Sequence, residues 1–161
     1  QMRAPTGRGA RMVLGLPGGS ALLIDESYNA NPASMTAAIA LLGQAATGPR
    51  GRRIAVLGDM LELGAEGERL HRALADALET AKVDLVFCSG PLMHSLWQAL
   101  PSGRRGGYAE TAAALEPVVL DAIRAGDAVM VKGSLGSKMG PLVKALERQY
   151  PGRPALEPAQ A

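Results

Sequence analysis

Short apolar runs alternate with longer stretches whose apolar residues recur at helical spacing. Residues 11–16 and 21–25 flank Pro17-Gly18-Gly19-Ser20, which predicts a β-hairpin. Residues 32–46 place Met35, Ile39 and Leu42 on one side of a helix, which Gly48-Pro49-Arg50-Gly51 ends. Residues 54–57 and 85–88 are unbroken apolar runs, the kind a parallel sheet buries on both faces. Between them, residues 68–81 carry Leu70, Leu74 and Leu78 in helical register. A shorter helix over 92–100, a weak element around Tyr108, a helix over 111–124, a strand over 128–131 and a helix over 141–150 complete the pattern.

This βα alternation predicts an α/β, Rossmann-like three-layer domain. Its sheet is mostly parallel, with an antiparallel hairpin at the N-terminus. The domain is expected over residues 5–150, with 1–4 as a linker and 151–161 as a flexible tail. The pattern also directs attention to the residues just past each strand, because ligands of open α/β sheets bind outside the carboxyl ends of strands. Asp25 to Asn31, Gly58-Asp59-Met60 and Lys132-Gly133-Ser134 each come directly after an apolar run. In a parallel sheet those segments converge on one edge.

The first of these is the densest in polar groups: Asp25-Glu26-Ser27-Tyr28-Asn29-Ala30-Asn31-Pro32. Asn31 suits a helix cap and Pro32 the first helical position, where a missing N–H costs nothing. The plain alternative is an Asx-rich turn with a cap. Gly58-Asp59 has its own alternative, a helix-entering turn, with Glu62, Glu66 and Glu68 only favouring a helix N-terminus. Gly133 and Gly136 either let backbone approach a ligand or allow a tight turn.

Composition narrows the function classes. The 161 residues are 47% hydrophobic, enough for a real core. Net charge is +2 and aromatics are 3%, which argues against a nucleic-acid module despite arginines at 50, 52, 53, 104 and 105. No run approaches the ~20 apolar residues of a membrane span. Cys88 is the single cysteine and reads as a small buried residue; His71 and His94 lack metal-ligand spacing and read as structural. No metal site and no catalytic residue is expected within this chain. A Gly-x-x-x-x-Gly-Lys-Ser/Thr phosphate loop is absent, as is a nucleophile–histidine signature.

With those motifs in order, the chain resembles the C-terminal domain of the Mur ligases. The matching segments are the octapeptide, Gly58-Asp59-Met60-Leu61-Glu62-Leu63-Gly64, Val131-Lys132-Gly133-Ser134, and Pro5-Thr6-Gly7-Arg8-Gly9 at the domain's start. Within the family it looks most like the branch whose incoming amine is D-alanyl-D-alanine and whose carboxylate substrate is UDP-N-acetylmuramoyl-tripeptide. The resemblance implies an ATP-dependent amide ligation in the bacterial cytoplasm. ATP and Mg²⁺ are held mostly by a central domain carrying the phosphate loop. That domain and an N-terminal one would be partners of this chain, which begins at Gln1 as an excised piece would.

By the same resemblance, Arg8 corresponds to an arginine reaching nucleotide phosphate, and Glu26 to a carboxylate accepting from ribose hydroxyls. Tyr28, Asn29 and Asn31 correspond to the loop beside the nucleotide. Lys132, Gly133 and Ser134 correspond to the segment lining the incoming amino-acid site, with Asp25, Asp59 and Glu62 in support. Relatives often continue Lys-Gly-Ser with Arg; here Leu135 stands instead. Another ligase of the superfamily, with a different amine or a folate substrate, and a stand-alone nucleotide- or anion-binding module are the alternatives.

Overall fold

A computed structural model describes residues 9–154. Strands β1 (Ala10–Leu16) and β2 (Gly19–Glu26) form the expected hairpin, paired from Ala10↔Asp25 to Leu16↔Gly19. Pro17 takes the first corner and Gly18, at φ 83°, the second, the residue pattern of a type II turn. Helix α1 (Pro32–Gly43) leads to β3 (Arg53–Gly58). Helices α2 (Gly67–Arg72) and α3 (Leu74–Thr80) lead to β4 (Leu85–Ser89), and α4 (Met93–Ala99) to β5 (Arg105–Ala109). Helix α5 (Ala112–Ala122), β6 (Ala128–Lys132), α6 (Gly140–Gln149) and β7 (Gly152–Pro154) complete the order.

The strands join one sheet in the order β5-β4-β3-β6-β2-β1-β7. Pairings among β5, β4, β3, β6 and β2 are parallel, and β1 runs antiparallel to both neighbours. Strand alternation splits the core into two layers. Ile24, Ala55, Leu57, Val86 and Met130 face α1, α3 and α4 through Met35, Ile39, Leu42, Leu78, Met93 and Leu96. Leu23, Ile54, Val56, Phe87, Val129 and Val131 face α5 and α6 through Leu115, Val119, Leu142 and Leu146. The three-layer expectation therefore holds, and Cys88 is buried within the first layer.

The structure departs from the sequence reading in three places. The helix expected over 68–81 breaks at Ala73. There the ladder tightens, since the Asp76 N–H reaches only the Ala73 carbonyl, three residues back, at 3.4 Å. Gly67 and His71, not Leu70, supply the buried face of α2. The first helix ends at Gly43, short of residue 46. Gly152–Pro154, expected in the flexible tail, pairs with β1 through Leu14↔Gly152 and Met12↔Pro154.

Strand β6 inserts between β3 and β2, and this sets where a ligand can sit. After β3 the chain continues toward β4 on one side; after β6 it continues toward β7 on the other. Neighbouring strands whose onward connections diverge open a crevice beyond their carboxyl ends.

Candidate functional site

The carboxyl ends of the parallel strands lie level. Glu26 and Leu57 both pair with Lys132, Gly58 with Ser89, and Ser89 with Ala109. The expected convergence of three polar segments results directly, and hydrogen bonds lock it. The Ser134 N–H donates to the Asp59 carbonyl (3.1 Å). Its hydroxyl accepts from the Leu61 N–H (2.9 Å) and donates to the Ala30 carbonyl (3.3 Å). One serine thus ties the loops after β2, β3 and β6 together.

In the loop after β2, part of the polar density is structural. Asp25 is buried, and its Oδ1 accepts from both the N–H (3.0 Å) and the hydroxyl (2.5 Å) of Ser27, an Asx turn. Asn31 caps α1: its Oδ1 accepts from the Ser34 N–H (2.8 Å), and the Ser34 hydroxyl accepts from the Asn31 N–H (3.0 Å). The turn-and-cap alternative is therefore realised in Asp25 and Asn31. Glu26, Tyr28 and Asn29 take no part in those bonds, and Glu26 is only partly buried. Tyr28 is 42% exposed, and Asn29 is exposed with its Oδ1 accepting from the Ala30 N–H (2.9 Å).

Lys132 sits directly beside Glu26 across the β2–β6 pair. Its ammonium donates to the Asn29 carbonyl (2.8 Å) and lies 3.7 Å from Glu26 Oε1, with the lysine side chain 5% exposed. Burial holds the Lys132 pKa below the ordinary 10.5, and the neighbouring Glu26 works against that shift.

Gly133 is enclosed by its own chain. A Cβ there would lie 2.5 Å from Ser137 Oγ, 2.8 Å from Met139 Cγ and 3.2 Å from the Gly58 Cα. What the structure shows at Gly133 is close packing against the chain itself, a reason for glycine that stands apart from the ligand-approach and tight-turn roles. Gly58 and Gly133 lie side by side, both turned toward Ser137 and Met139.

Asp59 does not begin its own helix, as the helix-entering alternative had it. Its carboxylate crosses to α4, where Oδ1 accepts from the Met93 N–H (2.8 Å) and Oδ2 from the Leu92 N–H (3.2 Å). Burial raises its pKa above the ordinary 3.8, opposed by those two N–H groups. His71 is fully buried, with Nε2 accepting from the Met60 N–H (2.9 Å) and Nδ1 2.6 Å from the Gly67 carbonyl. The first bond leaves Nδ1 as the donor, so the ring is neutral and structural. His94 packs edge-on against Tyr108. Glu62 is exposed, at φ 66°. Arg8 and the rest of the segment from Pro5 up to it lie outside the described residues.

Beyond this edge lies a cleft of about 600 Å³, bounded by Asp59, Leu61, Pro91, Glu110, Ser137 and Lys138. The N-termini of α5 and α6 open toward it, the former capped by Thr111, whose side chain accepts from the Ala114 N–H (3.1 Å). Sequence reasoning missed Leu61, Thr111, Ser137 and Lys138 as lining groups. Thr111 ahead of an apolar helix was a readable cap signal; the others carry none. A roomier groove of about 690 Å³ lies between α1 and α3, lined mainly by small residues such as Ala40, Gly43 and Ala77. It is remote from the strand ends where the polar segments meet. Among the described residues no group of three or more His, Cys, Asp or Glu is placed to hold a metal ion. No described helix is long and apolar enough to cross a membrane.

Fold and site together define a doubly wound α/β domain with a cleft beyond the carboxyl ends of its parallel strands. Comparison with known proteins gives the class. The family described as Mur ligase, glutamate ligase domain, matches residues 11–135. The chain belongs to that family. It is 38% identical over 127 residues to the UDP-N-acetylmuramoyl-tripeptide–D-alanyl-D-alanine ligase of Escherichia coli K12, covering 78% of this chain and 27% of that one. Identity to the Bacillus subtilis ligase of the same name is 35% over 128 residues, covering 77% and 27%. A MurF structure from Acinetobacter baumannii superposes with a TM-score of 0.76 at 26% identity, over 92% of this chain and 32% of that one. MurF ligase from Thermotoga maritima in complex with ADP has a TM-score of 0.72 at 22% identity, covering 92% and 32%, and speaks for the fold. The chain thus spans about a quarter to a third of the length of the relatives it matches.

Proposed function

We propose that this chain is the C-terminal domain of a ligase that joins D-alanyl-D-alanine to UDP-N-acetylmuramoyl-tripeptide at the expense of ATP. The observation that carries the reading is the meeting of three family motifs, 25–31, 58–64 and 131–134, on one sheet edge in a chain whose named relatives carry that activity. In such a reaction ATP phosphorylates the tripeptide carboxylate, the amine attacks the acyl phosphate, and inorganic phosphate leaves. No phosphate loop is found in the sequence and no metal donor set among the described residues, so these do not suit Mg²⁺ and no step of this domain runs through it. The ion, with the phosphate loop, is assigned to the rest of the protein.

The domain's share is binding and exclusion. Closing its polar edge over the nucleotide holds amine and acyl phosphate at reacting distance and keeps out water that would hydrolyse the intermediate. Glu26 accepts from ribose hydroxyls, with Tyr28 and Asn29 beside it and Asn31 fixing the loop. Arg8 meets phosphate with its fork of donors. Gly133, Ser134 and the adjoining cleft form the side that receives the dipeptide, with the buried Lys132 side chain set behind them. Asp25, Asp59 and Glu62 belong to the supporting framework. Since both ATP and the UDP-activated precursor are cytoplasmic, the reaction is placed in the bacterial cytoplasm, early in peptidoglycan synthesis.

The test is product analysis with the full-length protein, the tripeptide precursor, ATP and D-alanyl-D-alanine. A pentapeptide product formed one-for-one with ADP is expected. Ligation of D-glutamate or a diamino acid in place of the dipeptide would move the protein to another branch of the family.

A further inference from the structure

We infer that Lys132 is a positioning residue for the nucleotide side of the site. Held in the chain interior, it fixes the Glu26 carboxylate and the Asn29 carbonyl and so sets the loop after β2. This rests on the ligase reading only in taking Glu26 as the ribose contact.

Position is the first support. Lys132 and Glu26 are direct neighbours on adjacent parallel strands, and their side chains emerge on the same face of the sheet as Ile24 and Met130. Neither can move far without shifting a strand. The second is the ammonium's commitment: one donor goes to the Asn29 carbonyl at 2.8 Å and the charge lies 3.7 Å from Glu26 Oε1. The third is burial, because the Lys132 side chain is 5% exposed while Glu26 is 22% exposed. The pair is asymmetric, with the carboxylate at the surface and the cation beneath it. An incoming ligand meets Glu26, not Lys132. On the opposite side of the carboxylate, Oε2 lies against Gly9, so Glu26 is confined between the start of β1 and the lysine. Ser134, two residues on, secures the same loop at the Ala30 carbonyl. Positions 132 and 134 thus brace consecutive carbonyls, Asn29 and Ala30, of the loop that Glu26 begins.

The test is nucleotide titration of the full-length protein with ATP and ADP, run beside ligation kinetics. Lys132→Met keeps the aliphatic stem and removes the charge. Its nucleotide dissociation constant should rise on the order of tenfold, as loss of a charge-assisted contact warrants. The Michaelis constant for D-alanyl-D-alanine should stay within about twofold and the melting temperature within a few degrees. Glu26→Gln should produce a similar nucleotide defect, and the double variant should be hardly worse than either single one, since the residues act as a unit. Lys132→Arg retains the charge and should show a smaller defect, still confined to nucleotide; it decides the matter if the methionine variant does not fold.

Additive losses in the double variant, or a dipeptide constant that rises as much as the nucleotide constant, would overturn the inference. Nucleotide binding without any ligation by the wild-type protein would remove the ligase reading and leave the Lys132 role standing. Ligation with nucleotide affinity unchanged in Lys132→Met would do the reverse.

Discussion

Removing the Asp59 carboxylate should uncap α4 and loosen the framework under the crevice. Asp59→Ala leaves the N–H groups of Met93 and Leu92 without their acceptors, at 2.8 and 3.2 Å in the native chain. The Met93 bond is buried and the Leu92 bond part-buried, so water replaces the second more readily than the first. An orphaned buried donor costs about 1–3 kcal/mol, which makes a total loss of roughly 2–4 kcal/mol once release of a desolvated carboxylate is set against it. For a domain of this size each kcal/mol moves the melting temperature by about 2–4 °C, so a fall of roughly 4–16 °C is expected. Asp59→Asn keeps one acceptor and should lie within about 1.5 kcal/mol of wild type.

The pH dependence carries a sign. The folded pKa of Asp59 lies above 3.8, so the native state holds this proton more tightly than the unfolded chain. Its contribution to stability is complete below 3.8 and declines as pH rises through the folded pKa. Wild type should therefore lose ground to Asp59→Asn across that window. Urea melts at several pH values supply the measurement, with the midpoint moving at constant slope. A cost below about 0.5 kcal/mol for Asp59→Ala would refute the capping argument.

Gly133→Ala should destabilise by about 1–3 kcal/mol through overpacking against Ser137 and Met139, read as a lowered denaturant midpoint; an unchanged midpoint would mean the glycine contact is slack. The buried Lys132 has a folded pKa below 10.5, so stability should climb with pH between the folded value and 10.5. Lys132→Met should flatten that alkaline rise in thermal melts. In full-length enzyme Arg8→Ala should weaken ATP use by about 1.5–3 kcal/mol, with Arg8→Lys recovering part of it and binding of the UDP-precursor unchanged in direct titration.

Much of this architecture is written in local pattern. Alternating apolar runs with Gly and Pro between them gave the elements, and strand-end polarity marked 25–31, 58–60 and 132–134 as one neighbourhood. What stayed hidden depends on distant partners. Nothing near Ala128 says that β6 inserts between β3 and β2, because every buried parallel strand has the same apolar signature. A helix-entering turn stayed open for Asp59 since its true partners lie 33 and 34 positions away. Gly133 left a ligand approach open because its close neighbours, Ser137, Met139 and the Gly58 backbone, are known only from the fold. His71 falls on the stripe of Leu74 and Leu78, three and seven residues ahead of them, but its polar partner, the Met60 N–H, is visible only in the fold. Gly152–Pro154 has no apolar run at all; it is a strand because the β1 edge is open to it.

The central claim is that the domain works through the loops beyond the carboxyl ends of its parallel strands. Hydrogen exchange of the full-length protein, with and without a non-hydrolysable ATP analogue plus D-alanyl-D-alanine, tests it most directly. Slowed exchange within this domain concentrated in residues 25–31, 58–61 and 133–138 is the predicted result. Protection centred instead on the groove between α1 and α3, around Ala40, Gly43 and Ala77, would contradict it.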